Sequence, residues 1–140
     1  MRYLLETSAC VDYLRSSDSI VRRWLASIDR KLVFLCPVIR AELLVGLRKK
    51  PSERQQLAAR KFFARLGSLP FDNNVAEIYA DIRADLELRG QGIGPHDTQI
   101  AAVAVTYGAT LVTGNQKEFQ RVPGLKCLSL DELKADKTLQ

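Results

Sequence analysis

Three carboxylates occupy positions where predicted strands end or a predicted helix begins. Glu6 directly follows an apolar run near the start of the sequence. Glu42, in the apolar segment at residues 38–46, is expected at the start of the helix after the next strand. Asp97 starts a helical pattern after a glycine-containing loop. An acidic side chain just past a buried strand contributes little to packing, but it is well placed to hold a hard cation at the edge of a parallel sheet. The sequence therefore predicts a metal-dependent enzyme.

The predicted chemistry is hydrolysis of a phosphodiester. Three carboxylates crowded together without a cation would repel one another and take up protons, whereas Mg²⁺ or Mn²⁺ removes that penalty and keeps several bound waters. A metal-bound water can attack a phosphodiester while the ion neutralises the developing charge. We expect Glu6, Glu42 and Asp97 to be the metal ligands. Asn115, which follows another predicted strand, adds an amide at the same edge.

Each of these residues also has an ordinary structural interpretation. Asp97 could be a plain helix cap, because Asp is favoured at that position. Glu42 could be a solvated surface residue, although the apolar residues on either side of it weaken that interpretation. We expect His96 to hydrogen-bond its own loop, since a metal-bound water needs no histidine. Asn115 could simply form a turn, and Glu118 could face solvent.

Basic residues are concentrated in one part of the chain, residues 48–65, here called the basic segment. Seven basic residues stand there against one acid, a local balance of +6 in a chain whose net charge is +5. A one-sided basic segment beside an acidic centre suits a polyanionic substrate such as RNA, and we expect Arg48, Lys49 and Lys50 to contact it. The alternative is a solvated helix face, which is the usual role of a basic run taken alone.

The length and composition favour one compact domain over residues 1–140. The first predicted strand starts at residue 2, which leaves no room for a charged leader and an apolar run, so we expect a cytoplasmic protein. The uncharged stretch at residues 98–116 is too polar for a membrane span. The three cysteines form no close pair and are expected to be reduced core residues, and a zinc site is disfavoured because the chain has only one histidine.

Apolar runs and helical periodicity alternate along the chain. Runs typical of buried strands occur at residues 4–5, 32–36 and 110–113, with a weaker one at 126–128 and a candidate edge strand at 68–71. Helical stripes occur at residues 20–28, 75–86 and 97–107, with Asp18 or Ser19 before the first, Asp72 or Asn73 before the second and Gly108 after the third. This alternation predicts a three-layer α/β/α fold with a central parallel sheet of four to five strands.

Four stretches, in this order along the chain, resemble the PIN-domain ribonucleases of the VapC toxin type. They are YLLETS at 3–8, AELLVG at 41–46, IGPHDTQIAA at 93–102 and LVTGN at 111–115, followed by Phe119 and by VPGL at 122–125. The resemblance covers roughly residues 2–130. The combined set is specific, although each piece alone is weak.

The resemblance implies a PIN-like fold and a Mg²⁺- or Mn²⁺-dependent endoribonuclease that is the toxin of a prokaryotic toxin–antitoxin pair. It also implies a homodimer and a VapB-like antitoxin that silences the toxin. By position, Glu42 and Asp97 correspond to acidic residues of the family, and Asn115 corresponds to the polar residue after the fourth strand. Glu118 is the candidate for the variable last acidic position.

Glu6 departs from the family pattern, which has Asp at this position followed by Thr and Asn, whereas this chain continues with Thr7 and Ser8. The extra methylene moves the carboxylate by about 1.5 Å, and a site with narrow geometry can lose on the order of a hundredfold in rate from such a displacement. The change is either natural and compensated or the mark of a weakened enzyme. The alternative function is therefore a catalytically silent PIN-like module that binds RNA or a partner protein. An aspartyl-phosphate enzyme is disfavoured, because no second acid stands two residues after Glu6.

Overall fold

A parallel β-sheet forms the centre of the computed structural model, which describes residues 1–135. Its strands are β1 (Arg2–Leu5), β2 (Val33–Leu35), β3 (Gly67–Ser68), β4 (Ala109–Thr113) and β5 (Cys127–Ser129). The order across the sheet is β3-β2-β1-β4-β5, and every neighbouring pair is parallel. Because β1 and β4 are neighbours inside the sheet, the residues that follow their carboxyl ends lie close together.

Eight helices accompany the described strands. They are α1 (Thr7–Arg15), α2 (Ile20–Ser27), α3 (Pro37–Lys49), α4 (Glu53–Arg65), α5 (Asn73–Leu88), α6 (Pro95–Tyr107), α7 (Gln116–Phe119) and α8 (Leu130–Ala135), with a short 3-10 turn at Arg30–Leu32. The predicted three-layer α/β/α fold with a central parallel sheet is confirmed.

Local signals explain where several of these elements begin and end. The Ser19 hydroxyl caps α2 by accepting from the Arg22 N–H at 2.9 Å, and the Asp72 carboxylate caps α5 by accepting from the Val75 N–H at 3.1 Å. Gly108, at φ 65°, ends α6 in the left-handed conformation that glycine adopts readily.

The predicted edge strand is shorter than expected and begins one residue earlier, since β3 ends at Ser68. The Leu69 N–H still donates to the Leu35 carbonyl at 2.8 Å. Pro70 follows, and it has no N–H with which to continue the ladder.

Two of the expected positions for acidic residues are wrong in detail. Gly94 is the N-cap of α6 and Pro95 its first residue, so Asp97 lies inside the first turn and is not the helix cap. Glu42 is the sixth residue of α3, because that helix already begins at Pro37. A proline at the first helical position is favourable, since its missing N–H would have no partner there. Both carboxylates consequently project from helices.

The core lies between the central strands and the helices that cover them. Leu4, Leu5, Leu111 and Val112 are fully buried, as is every residue of α6 from Ile100 to Ala104. A helix that is buried around most of its circumference reads as an apolar run, which is the pattern of α6. Residues 136–140 lie outside the described part of the chain, and the predicted single domain over residues 1–140 includes them.

Cys10 and Cys36 are buried, as predicted for core residues, whereas Cys127 is half-buried, and all three are free thiols. Burial is the largest cause that raises the pKa of each thiol above its usual value. Within residues 1–135, no helix combines the length and the apolar character needed to cross a bilayer.

Candidate active site

Glu6 lies at the carboxyl end of the two central strands. It directly follows β1, and its N–H donates to the Val112 carbonyl in β4 at 2.9 Å. The residue is also the N-cap of α1, so its position is fixed by a strand on one side and a helix on the other. Ligands of parallel α/β sheets bind at this edge.

The Glu6 carboxylate is buried and fully engaged with its neighbours. One oxygen accepts from the Ser8 backbone N–H at 3.1 Å, and the other accepts from the hydroxyls of Ser8 and Thr113, each at 2.5 Å. Glu6 as a whole is only 6% exposed to solvent. The N-terminal end of α1 favours a negative charge at this point, which helps to offset the cost of burying the carboxylate.

Two backbone N–H groups extend this network beyond Glu6. The Gly114 N–H donates to the Ser8 hydroxyl oxygen at 2.7 Å, and the Asn115 N–H donates to the Thr113 hydroxyl oxygen at 2.9 Å. A Cβ at position 114 would lie 3.3 Å from the Ser8 hydroxyl oxygen, so glycine is the residue that allows this close approach. The loop after β4 is therefore tied directly to the first turn of α1.

A residue of α1 also contacts Glu42. One of its oxygens accepts from the Thr7 hydroxyl at 2.7 Å, and the other lies 3.7 Å from Nδ1 of His96. His96 was expected to hydrogen-bond its own loop, but its side chain instead faces this carboxylate. With a side chain 28% exposed, Glu42 is open to a ligand that approaches the carboxyl edge of the sheet.

Asp97 experiences the negative charge of the whole group. Its pKa is raised to about 6, first by burial and then by repulsion from Glu6, Glu42 and Glu118, while His96 acts in the opposite direction. A carboxyl group with this environment takes up a proton readily, or releases it when a cation is present. The four carboxylates therefore influence one another electrostatically, as the sequence predicted for three of them.

The carboxylates do not form a ready-made ligand set in this conformation. Among residues 1–135, no three His, Cys, Asp or Glu side chains lie close enough together to hold one metal ion. Electrostatic repulsion acts over longer distances than a metal–oxygen bond of about 2.1 Å. The carboxylates are therefore close enough to raise the pKa of Asp97 but too far apart to bind one ion in this conformation. The predicted acidic residues thus lie close enough to repel Asp97, but the Glu6 carboxylate is turned towards Ser8 and Thr113.

The chemistry of the donors nevertheless fits a hard divalent cation. Carboxylate, hydroxyl and amide oxygens surround the edge of the sheet, and these are the ligands that Mg²⁺ and Mn²⁺ prefer. Of the three carboxylates predicted as ligands, Glu6 is buried, whereas Glu42 and Asp97 remain partly accessible to solvent. They are the residues best suited to bind the ion directly.

The last two candidates lie on the loop and helix that follow β4. Asn115 is exposed and precedes α7, and its side chain makes no capping hydrogen bond to that helix. Glu118 lies within α7 and contributes to the repulsion felt by Asp97. The amide of Asn115 is therefore available to a ligand at the same edge.

An open groove runs from Glu42 to the basic segment. Its volume is about 380 Å³, and its lining runs from Thr7 and Glu42 to Lys50, with apolar walls from α1 and α3. Arg48 and Lys49 form the last turn of α3, Lys50 caps it, and all three side chains are exposed. A polyanion in this groove would lie near Glu42 at one end and near Lys50 at the other.

Sequence reasoning missed the hydroxyl groups that orient the acids. Thr7, Ser8 and Thr113 supply the hydrogen bonds to Glu42 and Glu6. The available signal was their position, since two of them directly follow Glu6 and the third ends a buried strand. Hydroxyl side chains next to buried carboxylates are natural hydrogen-bond donors.

Comparison with known proteins identifies a family and several relatives. Residues 3–125 match the family model described as PIN domain. The chain is 34% identical to "Ribonuclease VapC2" of Rickettsia felis, over 89% of this chain and 95% of that relative. It is 28% identical to "tRNA(fMet)-specific endonuclease VapC" of Salmonella typhimurium, over 90% of this chain and 96% of that relative.

Solved structures give the same result for the fold. The chain superimposes on the structure of VapBC2 from Rickettsia felis bound to a DNA fragment from their promoter, with a TM-score of 0.85, 32% identity and coverage of 92% of this chain and 98% of that one. For DNA-bound VapBC from Salmonella typhimurium the TM-score is 0.87, with 27% identity and coverage of 93% and 98%. The chain therefore belongs to the PIN-domain family, and within it to the VapC proteins.

Proposed function

We propose that this chain is a metal-dependent endoribonuclease and the toxin of a toxin–antitoxin pair. The observation that carries the proposal is the environment of Asp97, whose pKa is raised to about 6 by burial and by three neighbouring carboxylates. Such a concentration of negative charge destabilises a folded protein unless a cation is bound. The names of the VapC relatives as ribonucleases support RNA as the substrate.

Glu42 and Asp97 would hold Mg²⁺ or Mn²⁺, and Glu6 would be a third ligand if its carboxylate turns from Ser8 and Thr113 towards the ion. When bound, the ion supplies an acidified water as nucleophile and neutralises charge on the phosphodiester. The remaining roles belong to side chains of this chain. Thr7 fixes the orientation of Glu42 through its 2.7 Å hydrogen bond. The network of Glu6, Ser8 and Thr113 fixes the loop that carries Asn115, whose side-chain amide can donate to a phosphate oxygen.

The basic segment would position the RNA. Lys50 lines the far end of the groove that begins beside Glu42, and Arg48 and Lys49 precede it in the last turn of α3. A phosphate backbone can therefore extend from Glu42 towards this part of the chain. Phosphate contacts of this kind set register and affinity and do not read sequence. The position of the cleaved bond then depends on which phosphate reaches Glu42 and Asp97.

The proposed partners are a VapB-like antitoxin and a second copy of the chain. Support for the antitoxin comes from the solved relatives, several of which are toxin–antitoxin complexes. The homodimer comes from the family resemblance. The proposed RNA substrate supports a cytoplasmic location for the protein.

One observation favours the alternative, a catalytically silent PIN-like module that binds RNA or a partner protein. The Glu6 carboxylate is occupied by Ser8 and Thr113, and no set of three ligands is assembled among residues 1–135. If those contacts persist when an ion is offered, the site keeps RNA affinity without cleavage. Cleavage and binding must therefore be measured separately.

The decisive experiment incubates the purified protein with total RNA, with and without Mn²⁺. We expect cleavage only with the metal, and a loss on the order of a hundredfold in Asp97→Asn and in Glu42→Gln, because each removes a ligand from a site of narrow geometry. Glu77→Gln is the matched control, since Glu77 is an exposed acid on α5. RNA binding by the unaltered protein without any cleavage would establish the silent module instead.

A further inference from the structure

We propose that a cavity at the amino ends of β2 and β3 is a second anion site, which binds a phosphate group through Arg22, Arg30 and Arg65. The cavity has a volume of about 530 Å³ and is lined by these three arginines together with Tyr13, Asp29 and apolar side chains. A neighbouring cavity of about 590 Å³ shares Asp29, Arg30 and Arg65. The two are here called the arginine cavity.

The arginine cavity lies at the opposite end of the sheet from the carboxylates. Arg30 belongs to the 3-10 turn that leads into β2, and Arg65 is the last residue of α4 before β3. Glu6 follows the carboxyl end of β1 and caps the start of α1, whereas Tyr13 lies near the end of that helix. Tyr13 is seven residues after Glu6, a rise of about 10 Å along a helix, so a phosphate group in the cavity does not contact the carboxylates.

Tyr13 holds two of the arginines in place. The Nε–H of Arg22 donates to the Tyr13 carbonyl at 2.8 Å, and its guanidinium lies 4.1 Å from the centre of the Tyr13 ring. Arg65 donates to the Tyr13 hydroxyl at 2.8 Å. The ring is stacked on Phe62 at 4.5 Å, and both aromatic residues are buried. Each guanidinium is thus oriented while using only one of its five N–H groups in these contacts.

The charge of the arginine cavity is not balanced by the protein. Among residues 1–135, no ion pair engages Arg22, Arg30 or Arg65. Asp29 lines the cavity, and its carboxylate accepts from the Lys31 backbone N–H at 3.0 Å. Lys31 also lines the neighbouring cavity, so three arginines and one lysine against one carboxylate leave a net positive charge. Positioned guanidinium groups match the geometry of phosphate oxygens and bind them bidentately.

The phosphate can come from either of two sources. A small phosphate compound would occupy the cavity alone, whereas an RNA chain would present one phosphate of its backbone. Arg65 is also the last member of the basic segment, so an RNA that contacts this segment would find a further cation at the cavity. The RNA source rests on the proposed function, while the small-molecule source does not.

The test compares binding of two probes, inorganic phosphate and a short 2′-O-methylated RNA that resists cleavage, in the presence of EDTA. The key variant is Arg30→Gln, because Arg30 is exposed and pairs with no acid among the described residues, so the fold should be unaffected. Arg23→Gln is the matched control, since Arg23 is exposed on α2 and does not line the cavity. Titration calorimetry at several salt concentrations gives the affinities.

We expect Arg30→Gln to weaken binding about tenfold, as for loss of a charge-assisted contact, with Arg23→Gln close to the unaltered protein. If Arg30→Gln weakens binding of inorganic phosphate, the ligand is a small phosphate compound. If it weakens binding of the RNA alone, the ligand is the RNA backbone, and the slope of log affinity against log salt should fall by about 0.7, the value for one contact with a single strand. Equal affinities of Arg30→Gln and Arg23→Gln for both probes would overturn the site. Since EDTA removes divalent ions, the result does not depend on whether the protein cleaves RNA.

Discussion

The hydroxyl of Thr113 donates a 2.5 Å hydrogen bond to the carboxylate of Glu6, which joins the end of β4 to the start of α1. Both residues are buried, Thr113 completely and Glu6 to all but 6%. The same hydroxyl oxygen accepts from the Asn115 N–H, so one side chain orients a carboxylate and the loop that carries a candidate catalytic amide. The contact is structural, and it also sets the geometry of the site.

Removal of that hydroxyl should lower the stability of the protein. Thr113→Val keeps the shape of the side chain but leaves a buried carboxylate with one partner fewer, so we expect a loss of about 1–3 kcal/mol in the free energy of unfolding. Thr110→Val, on the same strand and less buried, is the control, with an expected change within about 0.5 kcal/mol. Urea unfolding measures both. Similar losses in the two variants would mean that the hydroxyl of Thr113 makes no special contribution.

The fold could be predicted largely from the sequence because its strongest elements carry their own signals. The strands around Leu4 and Leu111 are apolar runs, and Asp72 and Gly108 delimit helices by their chemistry. Helix α1 was not predicted. Its buried residues include Ala9 and Cys10, which are small, so they give only a weak helical stripe. The start of α3 was missed because Pro37 directly follows the predicted strand at residues 32–36, where a proline indicates a break.

The site could be predicted only as far as its residue types and its edge of the sheet. The orientation of the Glu6 carboxylate depends on Thr113, which is 107 positions away in sequence, and the orientation of Glu42 depends on Thr7. Neither contact follows from the local sequence pattern. The first forms only when β4 packs beside the start of α1, and the second only when α3 packs against α1. Side-chain conformation at a buried polar site is a property of the assembled fold.

Asp97 should destabilise the metal-free protein. Its carboxylate is repelled by Glu6, Glu42 and Glu118, so Asp97→Asn should raise the melting temperature in EDTA at neutral pH by about 3 °C. Mn²⁺ should then stabilise the unaltered protein more than the variant, because the variant has lost a ligand. Differential scanning calorimetry distinguishes the two effects. A variant that melts below the unaltered protein in EDTA would contradict the repulsion.

Tyr107 should control the acid stability of the α5 cap. Its hydroxyl donates to Asp72 at 2.7 Å, and this hydrogen bond is the main cause that lowers the pKa of Asp72. A lowered folded-state pKa stabilises the protein above the unfolded pKa of about 3.9, and the stabilisation is lost as pH falls through the folded value. Tyr107→Phe should therefore raise the pKa of Asp72 and move this loss to higher pH.

Carboxyl NMR titration of Asp72 measures that shift directly. Tyr79→Phe is the control, because the Tyr79 hydroxyl contacts Arg83 and not Asp72. An unchanged pKa of Asp72 in Tyr107→Phe would show that the hydrogen bond to Val75, and not the one from Tyr107, dominates its titration.

The basic segment should contribute phosphate contacts. Replacing Arg48, Lys49 and Lys50 with Gln should weaken RNA binding and lower the slope of log affinity against log salt by about two, since each contact with single-stranded RNA accounts for about 0.7. A matched triple variant at exposed Arg23, Lys126 and Lys134 removes the same charge elsewhere. If both triples reduce the slope equally, only net charge matters and this segment is a solvated face.

The sharpest prediction concerns the length of the side chain at position 6. Glu6→Asp draws the carboxylate back by about 1.5 Å while keeping a residue that is favoured as an N-cap, so we expect tighter Mn²⁺ binding and faster RNA cleavage. Glu6→Gln keeps the length and can still accept from Ser8 and Thr113, but it lacks the charge, so both quantities should fall. Manganese titration and a cleavage assay measure them independently. A fall on shortening to Asp would show a backbone adapted to Glu, and no change in either variant would remove Glu6 from the site and leave Glu42 and Asp97 as the ligands.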